Sequence, residues 1–125
     1  MAAAPFRAIP ILRIFDEAKA REFYLGFLGM KVDWEHRFAP DLPLYMQVSR
    51  GGLVLHLSEH HGDATPGSTV LVQTSEGLEA LHAKLIAKQY KHARPGLEVA
   101  PWKAKVMEVG DPFGNRLRFN QPLPK

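Results

Sequence analysis

Three of the six histidines in this 125-residue chain fall within one stretch, LVLHLSEHHGD. It sets His56, His60 and His61 beside Glu59 and Asp63. Imidazole and carboxylate are common ligands of catalytic metals, and such sites usually draw on about three protein ligands and leave a position open. In an extended strand His56 and His60 would stand about 13 Å apart, so convergence on one ion requires a sharp turn after Ser58. Nor is the spacing that of the helical His-Glu-x-x-His pair. His56, His60 and His61 could share an ion only if the chain turns that way. Otherwise His60 and His61 read as solvated loop residues.

Other residue types here suit binding better than bond-breaking. Trp34, His36 and Phe38 alternate within KVDWEHRF and fall on one strand face. The plain reading is core packing under a helix, but a histidine between two aromatics also suits a wall for a flat heterocyclic ligand. Val54, His56 and Ser58 alternate with Leu53, Leu55 and Leu57, so the leucines should pack inward and His56 should face a cleft. Trp102 follows Pro101 in a loop, where exposed aromatics tend to serve recognition. Arg118 either pairs with Glu108 across a hairpin or holds an anionic ligand group. Tyr24, Tyr45 and Ser58 have no visible partners for nucleophilic catalysis.

Composition narrows the function classes. There is no cysteine, hence no thiol nucleophile, thiolate zinc site or disulfide framework. A hydrophobic content of 46% suits one compact domain over residues 1–125. No apolar run approaches the roughly 20 residues of a spanning helix, and MAAAPFRAIP lacks a signal-peptide pattern, so a cytoplasmic protein is expected, with no membrane partner. The formal charge of +3 is dispersed, without the concentrated basic face of a nucleic-acid binder.

These side chains need elements to position them. AIPILRI reads as a strand whose Pro10 fits an edge. Asp16 can cap a helix carrying Ala20, Phe23, Tyr24, Phe27 and Leu28 on one stripe, closed by Gly29. KVDWEHRF, PLYMQVSR and LVLHLS follow as strands, the last two joined at Gly51-Gly52. After the polar linker EHHGDATPGS, STVLVQT reads as a strand. Ser75 then caps a helix with apolar Leu78, Leu81, Leu85 and Ile86. YKHARPG is a weak strand with a turn, and KAKVMEVG and RLRFNQ form a hairpin around DPFGN. The order β-α-β-β-β therefore occurs twice, at about residues 8–60 and 68–121. One copy cannot bury its own sheet face, so the two should pair as an α+β fold around a concave cleft.

This order and three segments resemble the vicinal-oxygen-chelate superfamily of glyoxalases, ring-cleaving dioxygenases and bleomycin-resistance proteins. The segments are AIPILRIFDEAKAREFYLGFLGMKV, STVLVQTSEGLEALHAKL and APWKAKVMEVGDPFGNRLRF, and the branch most resembled is bleomycin resistance. Metal-using relatives carry a ligand on the first and last strand of each module. By resemblance these positions fall on Ile9, on His56, near Val70 and on Arg118, of which only His56 could bind a metal. The resemblance therefore implies a non-catalytic homodimer that sequesters a small aromatic ligand without a cofactor. The implied ligand residues are Trp34, His36, Phe38, His56, Trp102 and Arg118. Family members that bind cationic bleomycin are acidic, whereas this chain is formally +3, so a bleomycin-type drug is one possible ligand among others. The alternative the resemblance carries is a metal-dependent lyase, isomerase or dioxygenase.

Overall fold

A computed structural model describes residues 5–124, so the reading of the first four residues of MAAAPFRAIP lies outside it. Its elements are β1 (Ile11–Arg13), α1 (Glu17–Arg21) running on as a π-helical segment (Glu22–Phe27), β2 (Lys31–His36), β3 (Tyr45–Arg50) and β4 (Leu53–Ser58). Then come β5 (Thr69–Gln73), α2 (Leu78–Ala87), β6 (Glu98–Ala100), β7 (Ala104–Gly110) and β8 (Arg116–Pro122). The strands form two four-stranded mixed sheets, ordered β1-β4-β3-β2 and β5-β8-β7-β6. In each the first strand pairs in parallel with the fourth. The fold is α+β, built from two βαβββ modules. No helix among the described residues is long and apolar enough to cross a membrane.

In the first module, Asp16 accepts a hydrogen bond from the Lys19 amide at 2.9 Å and so caps α1. The helix then widens: the Leu28 amide bonds the Phe23 carbonyl five residues back, and Gly29 closes it at φ +73°. Phe23, Tyr24, Phe27 and Leu28 are all buried. The two-residue turn Gly51-Gly52 has φ of 55° and 88°, as a primed hairpin turn requires, and fixes the register of Gln47 opposite His56. Met46, Val48, Leu55 and Leu57 face the core, which leaves Tyr45, Gln47 and His56 on the opposite, outer face.

Four local expectations need correction. In β2 the alternation breaks, because the pairing with β3 slips between Val32 and Trp34. The bulge puts Asp33 on the Trp34 side, where it meets Gln47, and Phe38 lies beyond the strand. Ser75 does not cap α2. The residue before the helix is Gly77, and the free Leu78 amide is met instead by the side chain of Gln121 from β8 at 3.0 Å. Ile86 is 42% exposed, while Leu78 and Leu85 are buried. YKHARPG holds no strand. β6 comes later, at Glu98–Ala100, where Pro95 and Gly96 no longer interrupt the pairing.

The modules share one buried cluster that joins Leu12, Met46, Leu55 and Phe27 with Leu85, Met107, Leu117 and Phe119. The Phe27 and Tyr90 rings stack at 4.9 Å, and Lys88 Nζ donates to the carbonyls of Gly26 and Phe27, satisfying the end of the first helix. The DPFGN turn supplies a polar lock between the modules. Asp111 accepts from Tyr24 Oη (2.6 Å), from the Phe113 and Asn115 amides (both 2.8 Å) and from Asn115 Nδ2 (2.9 Å). Asn115 Nδ2 also donates to the Arg13 carbonyl in the first module, at 2.9 Å. Burial, then the Asp111 charge, pushes the Tyr24 phenol far above its ordinary value, so it stays a donor.

Candidate binding faces

Trp34, Tyr45 and His56 meet on the outer face of the first sheet. The Trp34 and Tyr45 rings are nearly parallel, 7° apart with centroids at 6.0 Å, and the His56 ring stands edge-on to both at 5.2 Å. His36 and Phe38 form an edge-to-face pair at 4.7 Å, and Phe38 in turn faces His60. These are not core residues. Trp34 is 43% exposed and Phe38 77%. They make an open aromatic wall with histidines set into it.

Polar groups cross that wall in a chain. Tyr45 Oη lies 2.7 Å from His56 Nδ1, His56 Nε2 lies 3.0 Å from Gln47 Oε1, and Gln47 Nε2 donates to Asp33 at 3.0 Å. Burial lowers the pKa of His56, which favours the neutral ring. Ser58 is buried and committed, donating to Asp63 at 2.6 Å and accepting from the His60 amide at 3.0 Å. It closes β4 and is buried with both its donor and an acceptor position used, so its oxygen is not presented to a substrate.

The second module presents a different outer face. Trp102 sits in the tight connection from β6 to β7, 63% exposed, and its indole Nε1 donates to Asn120 Oδ1 at 2.9 Å. Asn120 in turn donates to Gln73 at 2.7 Å. Glu108 lies opposite Arg118 in the hairpin and binds it at 3.1 Å, with Arg116 at 3.8 Å on the other carboxylate oxygen. Two guanidinium groups thus share one carboxylate, leaving a net positive edge. A groove of about 650 Å³ runs beside Trp102, Val106, Glu108 and Arg118, within the range of small-molecule pockets.

The candidate ligand residues therefore divide into two groups. Trp34, His36, Phe38 and His56 belong to one face, and Trp102 and Arg118 to the other. Among the described residues, no hydrogen bond, ion pair or aromatic contact joins the groups. A separate groove of about 580 Å³ lies between the β3–β4 turn and the start of α2, lined by Leu28, Met30, Leu53, Leu71, Leu78 and Phe119 among others. Three of its polar side chains are committed elsewhere in the chain: Arg50 to the Leu28 carbonyl at 2.6 Å, Gln73 to Asn120 at 2.7 Å and Thr74 to the Glu76 carbonyl at 2.6 Å.

The donor set does not fit a divalent metal. No group of three or more His, Asp or Glu among the described residues could hold an ion. Both ring nitrogens of His56 already have partners. The parallel pairings put Ile11 opposite His56 on β1 and Leu71, next to Val70, opposite Arg118 on β5. Val70 packs against the core, since a shift of one residue reverses the face. Neither Ile11 nor Leu71 offers a ligating atom.

Sequence reasoning passed over Gln47, Asp33 and Asn120 and gave Tyr45 no partner. The Gly51-Gly52 turn could have located Gln47, because a two-residue loop fixes Arg50 opposite Leu53 and hence Gln47 opposite His56. Asp33 could not have been found that way, because its placement depends on the bulge.

Paired βαβββ sheets with open aromatic outer faces define a two-module α+β scaffold. The chain belongs to the glyoxalase superfamily: the family model described as "Glyoxalase superfamily protein" matches residues 4–123. A search of curated proteins finds no match. Among solved structures, the chain is similar to TnmS3, an antibiotic binding protein from Streptomyces sp. CB03234, at 23% identity and a TM-score of 0.68, covering 96% of this chain and 99% of that one. It is also similar to a bleomycin-binding protein complexed with bleomycin, at 21% identity and a TM-score of 0.68, with 93% and 98% covered. A bleomycin resistance determinant encoded on the transposon Tn5 aligns at 18% identity and a TM-score of 0.70, with 94% and 98% covered. At these identities the likeness is one of fold.

Proposed function

We propose that this chain is a non-catalytic binding protein that sequesters an aromatic small molecule, in the manner of the antibiotic-binding proteins it resembles in fold. The observation that carries this reading is the aromatic outer face of the first module, with Trp34 and Phe38 open to solvent around the half-buried Tyr45 and His56. Such a surface gives a flat ring system area and orientation but supplies neither an activated nucleophile nor a metal set. Neither face alone encloses a ligand, whereas effective sequestration buries most of the ligand surface. We therefore place the first face of one chain against the Trp102–Arg118 face of a second, as a cytoplasmic homodimer with a ligand between them. In that arrangement Trp34 and Phe38 form one wall, Trp102 the other, and Arg118 meets an acidic substituent. The formal charge of +3 suits a neutral or acidic aromatic compound better than cationic bleomycin.

The test is titration of tryptophan fluorescence with bleomycin-family drugs and a panel of neutral and acidic aromatic natural products. A saturable change with at least one compound, at about one ligand per cleft, is expected. No saturable change in a folded, dimeric protein would sink the reading. So would near-stoichiometric metal in protein purified without chelators, if that metal is lost in His56→Ala.

A further inference from the structure

The polar chain on the first face has its hydrogen positions set from one end. The Gln47 hydrogen bond, then one from Ser49, holds the Asp33 carboxyl below its ordinary value, so it is ionised and only accepts. The Gln47 group facing it at 3.0 Å is therefore the NH₂, since the flipped amide would set oxygen against carboxylate. Gln47 Oε1 then faces His56 Nε2 at 3.0 Å, which must carry the ring proton. In a neutral imidazole the other nitrogen is an acceptor, so Tyr45 donates its hydroxyl proton to Nδ1 at 2.7 Å. Burial, then the Asp63 charge, raises the Tyr45 pKa, which keeps that proton on the phenol. With its only proton spent, Tyr45 Oη has lone pairs alone to offer a partner. Its ring lies parallel to the exposed Trp34 indole.

We propose that Tyr45, polarised through Asp33, Gln47 and His56, is a specificity-determining residue that selects aromatic ligands carrying an N–H or O–H donor beside the ring. Isosteres that offer only acceptors leave the Tyr45 lone pairs unmet and meet them with lone pairs of their own. This rests on the aromatic-binding reading above and adds to it the polarity of the ligand's edge.

Two probes of matched shape test it: 2-aminobenzothiazole, which presents an amine, and 2-methylbenzothiazole, which presents a methyl group. Each is titrated into the full-length ¹⁵N-labelled protein while backbone and histidine resonances are followed. The amine should bind about fivefold more tightly, as one net hydrogen bond gives, and the two affinities should converge in Tyr45→Phe. Equal affinities in the parent protein, or a preference that survives Tyr45→Phe, would overturn the proposal and leave aromatic binding intact. If neither probe shifts any resonance of the first module, the binding reading falls and the proposal with it. A ligand-free measurement stands even if Tyr45→Phe does not fold. The ¹⁵N shifts of His56 should report the Nε2–H tautomer, and the Nδ1–H tautomer would overturn the assigned direction.

Discussion

At the scale of single residues, Trp102 and His60 test the proposed ligand wall against a bystander. Both are aromatic, and both lie outside regular strands. Trp102 stands at the groove of the second module with its indole held by Asn120, so its ring is pre-oriented and a ligand need not pay to order it. His60 touches the first face only at its margin, 6.4 Å from the Phe38 and Tyr45 rings. Trp102→Ala should therefore weaken binding of an aromatic ligand by about tenfold or more, as loss of an anchor does, and His60→Ala by little. Isothermal titration of both variants checks this, and the reverse ranking would count against the cleft as drawn.

At the scale of elements, the DPFGN turn does more than reverse the chain. Pro112 and Gly114 suit a turn, and that much the motif states. The tertiary contacts add a second task, because Asp111 and Asn115 tie the turn to Tyr24 on the first helix and to Arg13 at the end of β1. Asp111→Ala should leave the buried Tyr24 hydroxyl and the Phe113 and Asn115 backbone amides without their acceptor and cost about 2–4 kcal/mol. Urea unfolding should show a lower midpoint with an unchanged slope. A loss under about 0.5 kcal/mol, the usual size for a surface change, would mean the lock is ornamental. The start of α2 teaches a related lesson. A serine stands where a local cap would be read, yet Gln121 from the last strand takes the task. A long-range partner replaced the local one.

For the whole molecule, the faces that carry the candidate site also carry several exposed apolar side chains. Trp34, Phe38, Leu71 and Trp102 are 43%, 77%, 59% and 63% exposed. Left bare, so much apolar surface favours association, and facing copies would cover it. Light scattering on a size-exclusion column should give twice the mass of one chain. A monomer at micromolar concentration would remove the proposed cleft, because each face would then bind alone and more weakly.

The residue order was enough to give the doubled βαβββ plan, the Asp16 cap, the Gly51-Gly52 turn and the inward leucines around His56. These follow from short-range physics: strand alternation, helix capping and positive φ all act within a few neighbours. The bulge that moves Asp33 beside Gln47, the Gln121 cap and the hydrogen-bonded chain through His56 were decided by tertiary structure. Each depends on which strand lies next to which, and in what register, and no local propensity encodes that. The same holds for the histidine cluster that first suggested a metal. Its residue types allowed an ion, but pairing with Ile11 and with two neutral hydrogen-bond partners made His56 part of an aromatic wall.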